Sequence, residues 1–278
     1  MKIKLMKNYL LLFLFLIVQH NSAQKVIFFP SALNIKPFTA NTLEANLGFQ
    51  FKLNSNELLL NIGNSIDVLH FNCGNGNISV GADLFTWTLL RKEDNFHFPV
   101  DAVDYQFGIN FGYINNWKSF SYGFRGRISH ISAHFVDGHY EGVLKIWRDG
   151  LNPRVYSREF VELLPFIKYR GLRFYAGFTY LFNVDPSSIK KDNYQLGFDY
   201  YFKNRFTKYF TPYIGYDLRI VHLDEYSGNN SFVLGIKFGK VEGRGLSLQY
   251  NYYSGKSLHG EYFNYTEKFS SLGLKLDL

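Results

Sequence analysis

The chain of 278 residues has a single cysteine, Cys73, and only 19% of its residues are charged. One cysteine excludes an internal disulfide framework and any metal site that needs several thiolates. So small a charged fraction is unusual for a soluble helical enzyme, whose surface carries more Lys and Glu. The mean hydropathy of −0.14 also argues against a membrane protein built from many helices. The composition alone therefore disfavours a soluble helical enzyme and a membrane protein built from many helices.

Aromatic residues are abundant instead. The chain has 29 Phe, 21 Tyr and 3 Trp, which together make up 19% of it, beside 24 Gly and 7 Pro. Aromatic side chains are enriched in β-strands, where they cover a pleated surface. The length accommodates one large domain and does not require two. The composition therefore favours a β-rich protein.

Residues 1–23 have the features of a secretory signal peptide. Three lysines among the first seven residues precede the apolar run Tyr9–Val18, and a small polar stretch ends at Ala23. The run is too short for a comfortable membrane span, so we expect cleavage after Ala23. The mature chain then carries 27 basic and 23 acidic residues, a net charge of +4. That balance has no nucleic-acid-binding signature, and we expect no nucleic-acid partner.

The mature chain alternates apolar and other residues with a period of two, which is the period of a β-strand. Within 104–114 one face carries Tyr105, Phe107, Ile109, Phe111 and Tyr113, and the other carries Asp104, Gln106, Gly108 and Asn110. The same pattern predicts twelve strands, at 42–53, 55–71, 76–90, 99–114, 117–136, 154–170, 172–184, 193–206, 208–222, 231–241, 244–254 and 268–278.

Two architectures produce such alternation: a soluble β-sandwich and a membrane β-barrel. The barrel is favoured because the strands are long enough to cross a bilayer obliquely and aromatic residues gather near strand ends. An even number of strands is also typical of single-chain bacterial barrels. We predict an all-β, antiparallel transmembrane β-barrel of about twelve strands, in the outer membrane of a Gram-negative-type bacterium. The sandwich is the alternative.

The barrel is predicted to occupy residues 42–278, with residues 24–41 forming a periplasmic lead-in that contains Pro30 and Pro37. Most connections after even-numbered strands are short and most after odd-numbered strands are longer, as for periplasmic turns and outer loops. The turn after the first strand is shorter than this scheme requires. The chain stops within its last strand, which we expect to close against the first and to be recognised by the barrel-assembly machinery.

The outward face of the fifth predicted strand carries polar groups that lipid does not favour. His130, Ser132 and His134 share this face, and Ser157 and Glu159 share the corresponding face of the sixth strand. Ionisable groups on a lipid-facing surface cost free energy, so their presence there indicates a function.

A serine, a base and a carboxylate in this order can form an activated nucleophile. If strands five and six pair with residue numbers summing to 289, His130 faces Glu159 and Ser132 faces Ser157. We predict Ser132 as nucleophile, His130 as base and Glu159 as the group that orients it, acting on lipid acyl esters of the outer membrane. His134, Ser157 and Asp137 are predicted supporting or alternative residues at the same site.

The spacing His130-Ile131-Ser132 resembles outer-membrane phospholipase A and the lipid A deacylases. In those families a His-x-Ser pair on a barrel strand hydrolyses acyl esters from the outside, which implies the same roles for these residues here. In this sequence Ala133-His134 follows the serine, and the longer loop 137–153 precedes the acidic partner. The longer pattern from His130 to Asp137, followed by Tyr156–Glu159, resembles a family of uncharacterised bacterial outer-membrane β-barrel proteins.

Other roles for the same residues stay open. The histidines could simply lie at the wet membrane interface, without any reaction. A metal held by His130 and His134 is disfavoured, because residues four apart on a strand are roughly 13 Å apart. No cofactor is required by the sequence, although calcium bound by loop oxygens around Asp137 is left open.

The predicted lumen face carries charges of both signs. They are Arg125, Arg127, Lys168, Arg170, Arg173, Lys203, Arg205 and Arg219, beside Asp104, Glu162, Asp199 and Asp217. Opposed charges in a barrel of about twelve strands are best explained as a packed ladder that fills the lumen, and a narrow anion-selective pore is the other reading. The alternative to an enzyme is therefore a non-enzymatic barrel with a structural or small-solute role.

Overall fold

The computed structural model describes residues 25–203 and 209–278, which form a closed antiparallel β-barrel. Its described residues contain twelve barrel strands: β1 (Leu47–Lys52), β2 (Glu57–Cys73), β3 (Gly76–Arg91), β4 (Val100–Trp117), β5 (Phe120–Phe135), β6 (Tyr156–Tyr169), β7 (Leu172–Asp185), β8 (Asp192–Tyr201), β9 (Phe210–His222), β10 (Tyr226–Gly239), β11 (Gly245–Lys256) and β12 (Thr266–Asp277). No helix in this part of the chain is long and apolar enough to cross a membrane. The predicted signal peptide lies outside the described residues.

The barrel closes because its last strand pairs with its first. β12 pairs with β1 from Ser271↔Lys52 to Leu276↔Leu47, and β1 pairs in turn with β2. Every other strand pairs with its neighbours in the sequence. The predicted fold class is confirmed, and from β2 to β12 the predicted strands match the observed ones with shifts of a few residues at their ends.

The outward surface of the ring is apolar. Large exposed side chains recur on it at every second position, including Ile128, Leu163, Phe174, Leu196, Leu234 and Leu272. The positions between them point inward and are mostly polar or small, as the period-two pattern requires. An apolar outside and a polar inside are typical of an outer-membrane barrel.

Hairpin turns are short at one end of the barrel and loops are longer at the other. Arg170 and Gly171, between β6 and β7, have φ values of 46° and 92°, the left-handed pair that a tight two-residue hairpin needs. The longest loop, 136–155, contains a small ribbon in which Tyr140–Glu141 pairs with Ile146–Trp147. The connection between β1 and β2 is short, as the sequence indicated.

The first described residues, from Lys25 onward, require the main correction to the predicted domain boundaries. Val26–Phe28 pairs with the edge of β2, and residues 34–46 then run inside the barrel. We call residues 34–46 the internal segment. Its Phe38 is 0% exposed, and its Leu43 belongs to the apolar core. The predicted periplasmic lead-in is therefore largely an internal element, and the first strand begins at Leu47 rather than at residue 42.

Charged side chains fix the internal segment to the barrel wall. Arg125 forms an ion pair with Glu44, and Arg127 Nη1 donates to the Leu43 carbonyl at 2.9 Å. Arg173 donates to the carbonyl oxygens of Lys36 and Pro37, at 2.8 and 2.7 Å. The predicted ladder of opposed charges is present at Arg125, Arg127, Arg173 and Arg219, and the internal segment extends it. Of the other predicted members, Arg170 is exposed in a hairpin turn, Lys168 and Lys203 pair with Glu242 in another turn, and Arg205 lies outside the described residues.

A loop covers the outer opening of the barrel. Within loop 257–265, the His259 ring lies 3.2 Å from a carboxylate oxygen of Asp104, and the Gly260 amide donates to the other oxygen at 2.9 Å. The Trp87 indole donates to the Leu258 carbonyl at 3.0 Å. The lumen is thus occupied by the internal segment and covered at its outer end, which leaves a cavity of about 90 Å³ beside Asn46.

Candidate active site on the outward face

The predicted site residues lie where strands β5 and β6 approach their outer ends. In the observed register His130 is opposite Glu159, and Ser132 is opposite Ser157. This is the register in which paired residue numbers sum to 289. It follows from the alternation, because shifting either strand by one residue would turn all of its apolar side chains into the lumen.

His130 and Glu159 form a direct contact across the two strands. The distance between His130 Nδ1 and Glu159 Oε1 is 2.6 Å, and the two side chains are 27% and 26% exposed. An ionised carboxylate can only accept a hydrogen bond, so the Nδ1 atom carries the proton. The other ring nitrogen, Nε2, then has its lone pair available to act as a base.

Ser132 lies on the same face, two residues along β5 from His130. Residues at positions i and i+2 of a strand are about 7 Å apart along the backbone, a separation that two converging side chains can bridge. Ser132 is half-buried, and its cross-strand neighbour on β4 is Tyr105. Within the described part of the chain its hydroxyl makes no hydrogen bond, so the group is free to turn toward the imidazole.

Aromatic rings border the site on the β4 side. The Phe107 ring lies 4.9 Å from the His130 ring, and Tyr105 lies 6.0 Å from His134. Phe107 is 52% exposed and Tyr105 is 42% exposed on the outward surface. The polar pair therefore sits next to apolar surface that faces the membrane.

A fourth polar residue reaches the site from β7, and the sequence pattern did not identify it. Asn183 Nδ2 donates to Glu159 Oε2 at 2.8 Å. Strict alternation along β7 would turn residue 183 toward the lumen, but the pairing of β7 with β6 shifts by one residue just before it. A one-residue irregularity of this kind leaves no mark in a period-two pattern.

Other predicted residues lie apart from the pair of His130 and Glu159. His134 is exposed one step farther along β5. Asp137 is exposed in the first turn of loop 136–155, where its Oδ1 accepts a hydrogen bond from the Gly138 amide at 3.0 Å. Ser157 is half-buried opposite Ser132. These three residues surround the site without making a hydrogen bond to either member of the pair.

The sequence left open a calcium ion bound by loop oxygens around Asp137. Calcium takes six to eight oxygen ligands and usually several carboxylates. Among the described residues, no group of three or more His, Cys, Asp or Glu side chains is arranged to hold a metal ion. Calcium bound by loop oxygens around Asp137 therefore stays a prediction.

A protein-family comparison covers the part of the chain that contains the site. The family model described as "Protein of unknown function (DUF1207)" matches residues 101–278, which are 178 of the 278 residues. The match includes His130, Ser132, Glu159 and Asn183. A comparison with curated proteins found no match. The predicted resemblance to an uncharacterised family is thereby confirmed, although the match does not test the motif.

Solved outer-membrane proteins share the fold. Outer membrane phospholipase A from Escherichia coli is 12% identical with a TM-score of 0.52, covering 87% of this chain and 93% of that one. The phospholipase of Salmonella typhi, solved as a dimer with bound calcium, is also 12% identical with a TM-score of 0.52, covering 88% and 94%. The toluene transporter TodX of Pseudomonas putida is 8% identical with a TM-score of 0.42, covering 79% and 69%.

These identities are low, so the likeness concerns the fold alone. The closed twelve-stranded barrel, apolar outside and polar inside, has the architecture of outer-membrane proteins of Gram-negative-type bacteria. The predicted location is confirmed.

Proposed function

The chain belongs to the DUF1207 family, whose description assigns no activity, and we propose that it hydrolyses acyl esters of membrane lipids. The observation that carries this proposal is the contact of 2.6 Å between His130 and Glu159 on the outward face, with Ser132 two residues away on the same strand. An ionisable pair on a lipid-facing surface costs free energy, so its presence there points to a function.

In the proposed reaction Ser132 is the nucleophile. Its Oγ atom attacks the ester carbonyl carbon while His130 Nε2 takes the hydroxyl proton. The tetrahedral intermediate collapses to an acyl-serine, and the proton passes from His130 to the departing alcohol. A water molecule then attacks the acyl-serine with His130 again as base, which releases the fatty acid and restores the serine hydroxyl.

Glu159 serves His130 in both halves of the reaction. Its carboxylate holds the imidazole in the tautomer with the proton on Nδ1, and it stabilises the imidazolium that forms when Nε2 takes up a proton. Replacing such a carboxylate by an amide reduces turnover by as much as about 10⁴-fold in a serine protease. A loss of at least about 100-fold is expected here.

A lipid is the proposed substrate because the site opens toward the membrane and not toward the lumen. Phe107 and Tyr105 provide apolar surface beside the catalytic pair, where an acyl chain could lie. The shared fold with proteins named as phospholipases supports this substrate class. Phospholipids and lipid A are both lipid acyl esters, and the assay has to distinguish them.

A second candidate is a non-enzymatic structural barrel. In this case His130, Ser132 and Glu159 lie at the aqueous interface of the membrane and take part in no reaction. The observation that favours this candidate is that, among the described residues, Ser132 makes no hydrogen bond to His130. Such bonds are, however, often longer in unliganded enzymes. The narrow anion pore has less support, since the internal segment occupies the lumen.

The experiment is release of labelled fatty acid from phospholipid and from lipid A by the refolded mature protein. We expect release by wild type, loss of release in Ser132→Ala and no change in Ser129→Ala, whose side chain is buried on the lumen side. Hydrolysis that survives Ser132→Ala contradicts the assignment of the nucleophile. If wild type hydrolyses neither lipid, the structural barrel replaces the enzyme.

A further inference from the structure

The ladder between β7 and β6 contains an extra residue at Phe182. Leu181 is paired with Phe160, but the next pair is Asn183 with Glu159, so Phe182 has no partner of its own on β6. A bulge of this kind allows two consecutive residues to point to the same side of a sheet. Bulges are over-represented next to active sites, where they redirect a side chain.

The exposure of the residues around the bulge shows this change of face. Leu181 is 1% exposed and packs in the apolar core inside the barrel, whereas Phe182 is 47% exposed on the outside. Asn183 is exposed as well, and Val184 packs again against the interior. With a regular ladder Phe182 would stand opposite Glu159, so the bulge replaces an aromatic neighbour of the carboxylate by an amide.

Each carboxylate oxygen of Glu159 therefore has its own hydrogen-bond partner, one on each flanking strand. Oε1 contacts His130 Nδ1 at 2.6 Å on the β5 side, and Oε2 accepts from Asn183 Nδ2 at 2.8 Å on the β7 side. The three side chains form one row across three neighbouring strands. A carboxylate held at both oxygens loses its freedom to rotate away from the imidazole.

We propose that Asn183 is a positioning residue that locks Glu159 onto His130. This inference rests on the proposed function, because it assigns Asn183 a role in the same hydrolytic site. Glu159 is 26% exposed and has rotatable bonds that would otherwise let it turn toward water. Asn183 acts through Glu159 and does not itself touch the reacting atoms.

An amide suits this role better than a charged side chain. A lysine at position 183 would compete with His130 for the carboxylate. A second carboxylate would repel Glu159 and favour the uptake of a proton by the acidic pair, which would remove the charge that supports the imidazolium. The Asn183 amide donates a hydrogen bond without changing the charge of the site.

The test compares Asn183→Ala and Asn183→Asp with Asn64→Ala, which alters an exposed residue on the distant strand β2. The refolded barrels are assayed on labelled phospholipid in mixed micelles. In Asn183→Ala we expect kcat to fall about 10- to 100-fold with KM unchanged. In Asn183→Asp the added carboxylate favours uptake of a proton at the site. The rate should therefore begin to fall at a higher pH than in wild type when the pH is lowered. Asn64→Ala should behave as wild type.

A second readout does not need turnover. In ¹⁵N-labelled protein, the proton on His130 Nδ1 should exchange with water faster in Asn183→Ala than in wild type, because the Glu159 carboxylate is no longer held. The inference is overturned if Asn183→Ala stays within twofold of wild-type kcat while Ser132→Ala is inactive, or if the exchange rate of this proton is unchanged. If wild type is inactive but the exchange rate rises, the proposed function fails and the positioning contact stands.

Discussion

Two glutamates on strand β6, three residues apart, face opposite sides of the barrel wall. Glu162 points into the lumen, where its side chain is 1% exposed and lies 2.7 Å from Arg127 and 3.3 Å from Arg219. Glu159 points outward, where it contacts His130 and Asn183 and is 26% exposed. The partners inside are guanidinium groups that stay charged at every physiological pH. The partners outside are a titratable base and a neutral amide.

Under the proposed function, Glu162 is a structural carboxylate and Glu159 takes part in the reaction. Inside, Glu162 neutralises two buried cations, and any proton transfer there would leave charges uncompensated. Outside, Glu159 holds a base whose second nitrogen is free to accept a proton. Changes at the two positions should therefore affect different measurements: stability for Glu162 and turnover for Glu159.

The largest effect is expected for Glu162→Gln. It removes the carboxylate that forms ion pairs with both Arg127 and Arg219. Breaking a buried pair in this way costs about 3–5 kcal/mol. Denaturant unfolding of the refolded barrel, followed by Trp fluorescence, measures this cost. Lipid hydrolysis per folded molecule should not change. A loss of less than about 1 kcal/mol would mean that the lumen ion pairs are not structural.

A comparable loss of stability is expected for Phe38→Ala in the internal segment. The Phe38 ring is 0% exposed and lies 4.4 Å from the Tyr175 ring, with the guanidinium groups of Arg125 and Arg173 at 5.0 and 4.2 Å. Truncating a buried Phe to Ala costs about 3–5 kcal/mol. The matched control is Phe96→Ala, which removes a ring that is 92% exposed in an outer loop. If both variants unfold at the same denaturant concentration, the internal segment contributes nothing to stability.

On the outward face, Glu159→Gln should reduce turnover at least about 100-fold, which corresponds to about 2.7 kcal/mol in the activation barrier. The amide can still contact the imidazole, but it does not stabilise the imidazolium as a carboxylate does. The unfolding free energy should stay within about 1 kcal/mol of wild type, because this face contributes little packing. Kinetics on labelled phospholipid and unfolding curves on the same preparation give both numbers. If Glu159→Gln keeps wild-type turnover, Glu159 has a structural role, as Glu162 does.

The smallest effect is expected for Glu242→Gln, in the periplasmic turn between β10 and β11. Partial burial acts to raise the pKa of Glu242, but the hydrogen bond from Lys203 and the charge of Lys168 lower it to about 2. A lowered pKa means that the stabilisation is present above pH 4.5 and is lost as the pH falls toward 2. The side chain is 50% exposed, so solvent screening limits the loss to about 1 kcal/mol at pH 7.

Unfolding of wild type and Glu242→Gln at pH 7 and at pH 2 checks this prediction. The two proteins should differ slightly at pH 7, and most of this difference should be lost at pH 2. A difference that grows as the pH falls would have the wrong sign for an ionised, ion-paired carboxylate.

The outward placement of these polar residues could be predicted because lipid imposes a strict rule. A barrel strand that faces hydrocarbon must be apolar at every second position, so His130 and Ser132 stand out against Phe120 and Ile128. The same rule fixes the register with β6 and hence the pairing of His130 with Glu159. The twelve strands followed from the same alternation.

The internal segment could not be predicted in this way. Leu43, Glu44 and Ala45 alternate as a lipid-facing strand does, but here the apolar residues pack inside the barrel. Hydrophobicity alone does not distinguish lipid from a protein core, since both exclude water. Asn183 was missed for a different reason, because a one-residue bulge changes the face of a side chain without changing the composition of the strand.

The central claim is that Ser132 is activated by His130 and Glu159, and its most direct test is covalent labelling. The refolded protein is treated with a sulfonyl fluoride in mixed micelles, digested and mapped by mass spectrometry. The account predicts one adduct on the peptide that contains Ser132, and no adduct at that serine in His130→Ala. Lipid hydrolysis without labelling of Ser132, or labelling that persists in His130→Ala, would contradict it.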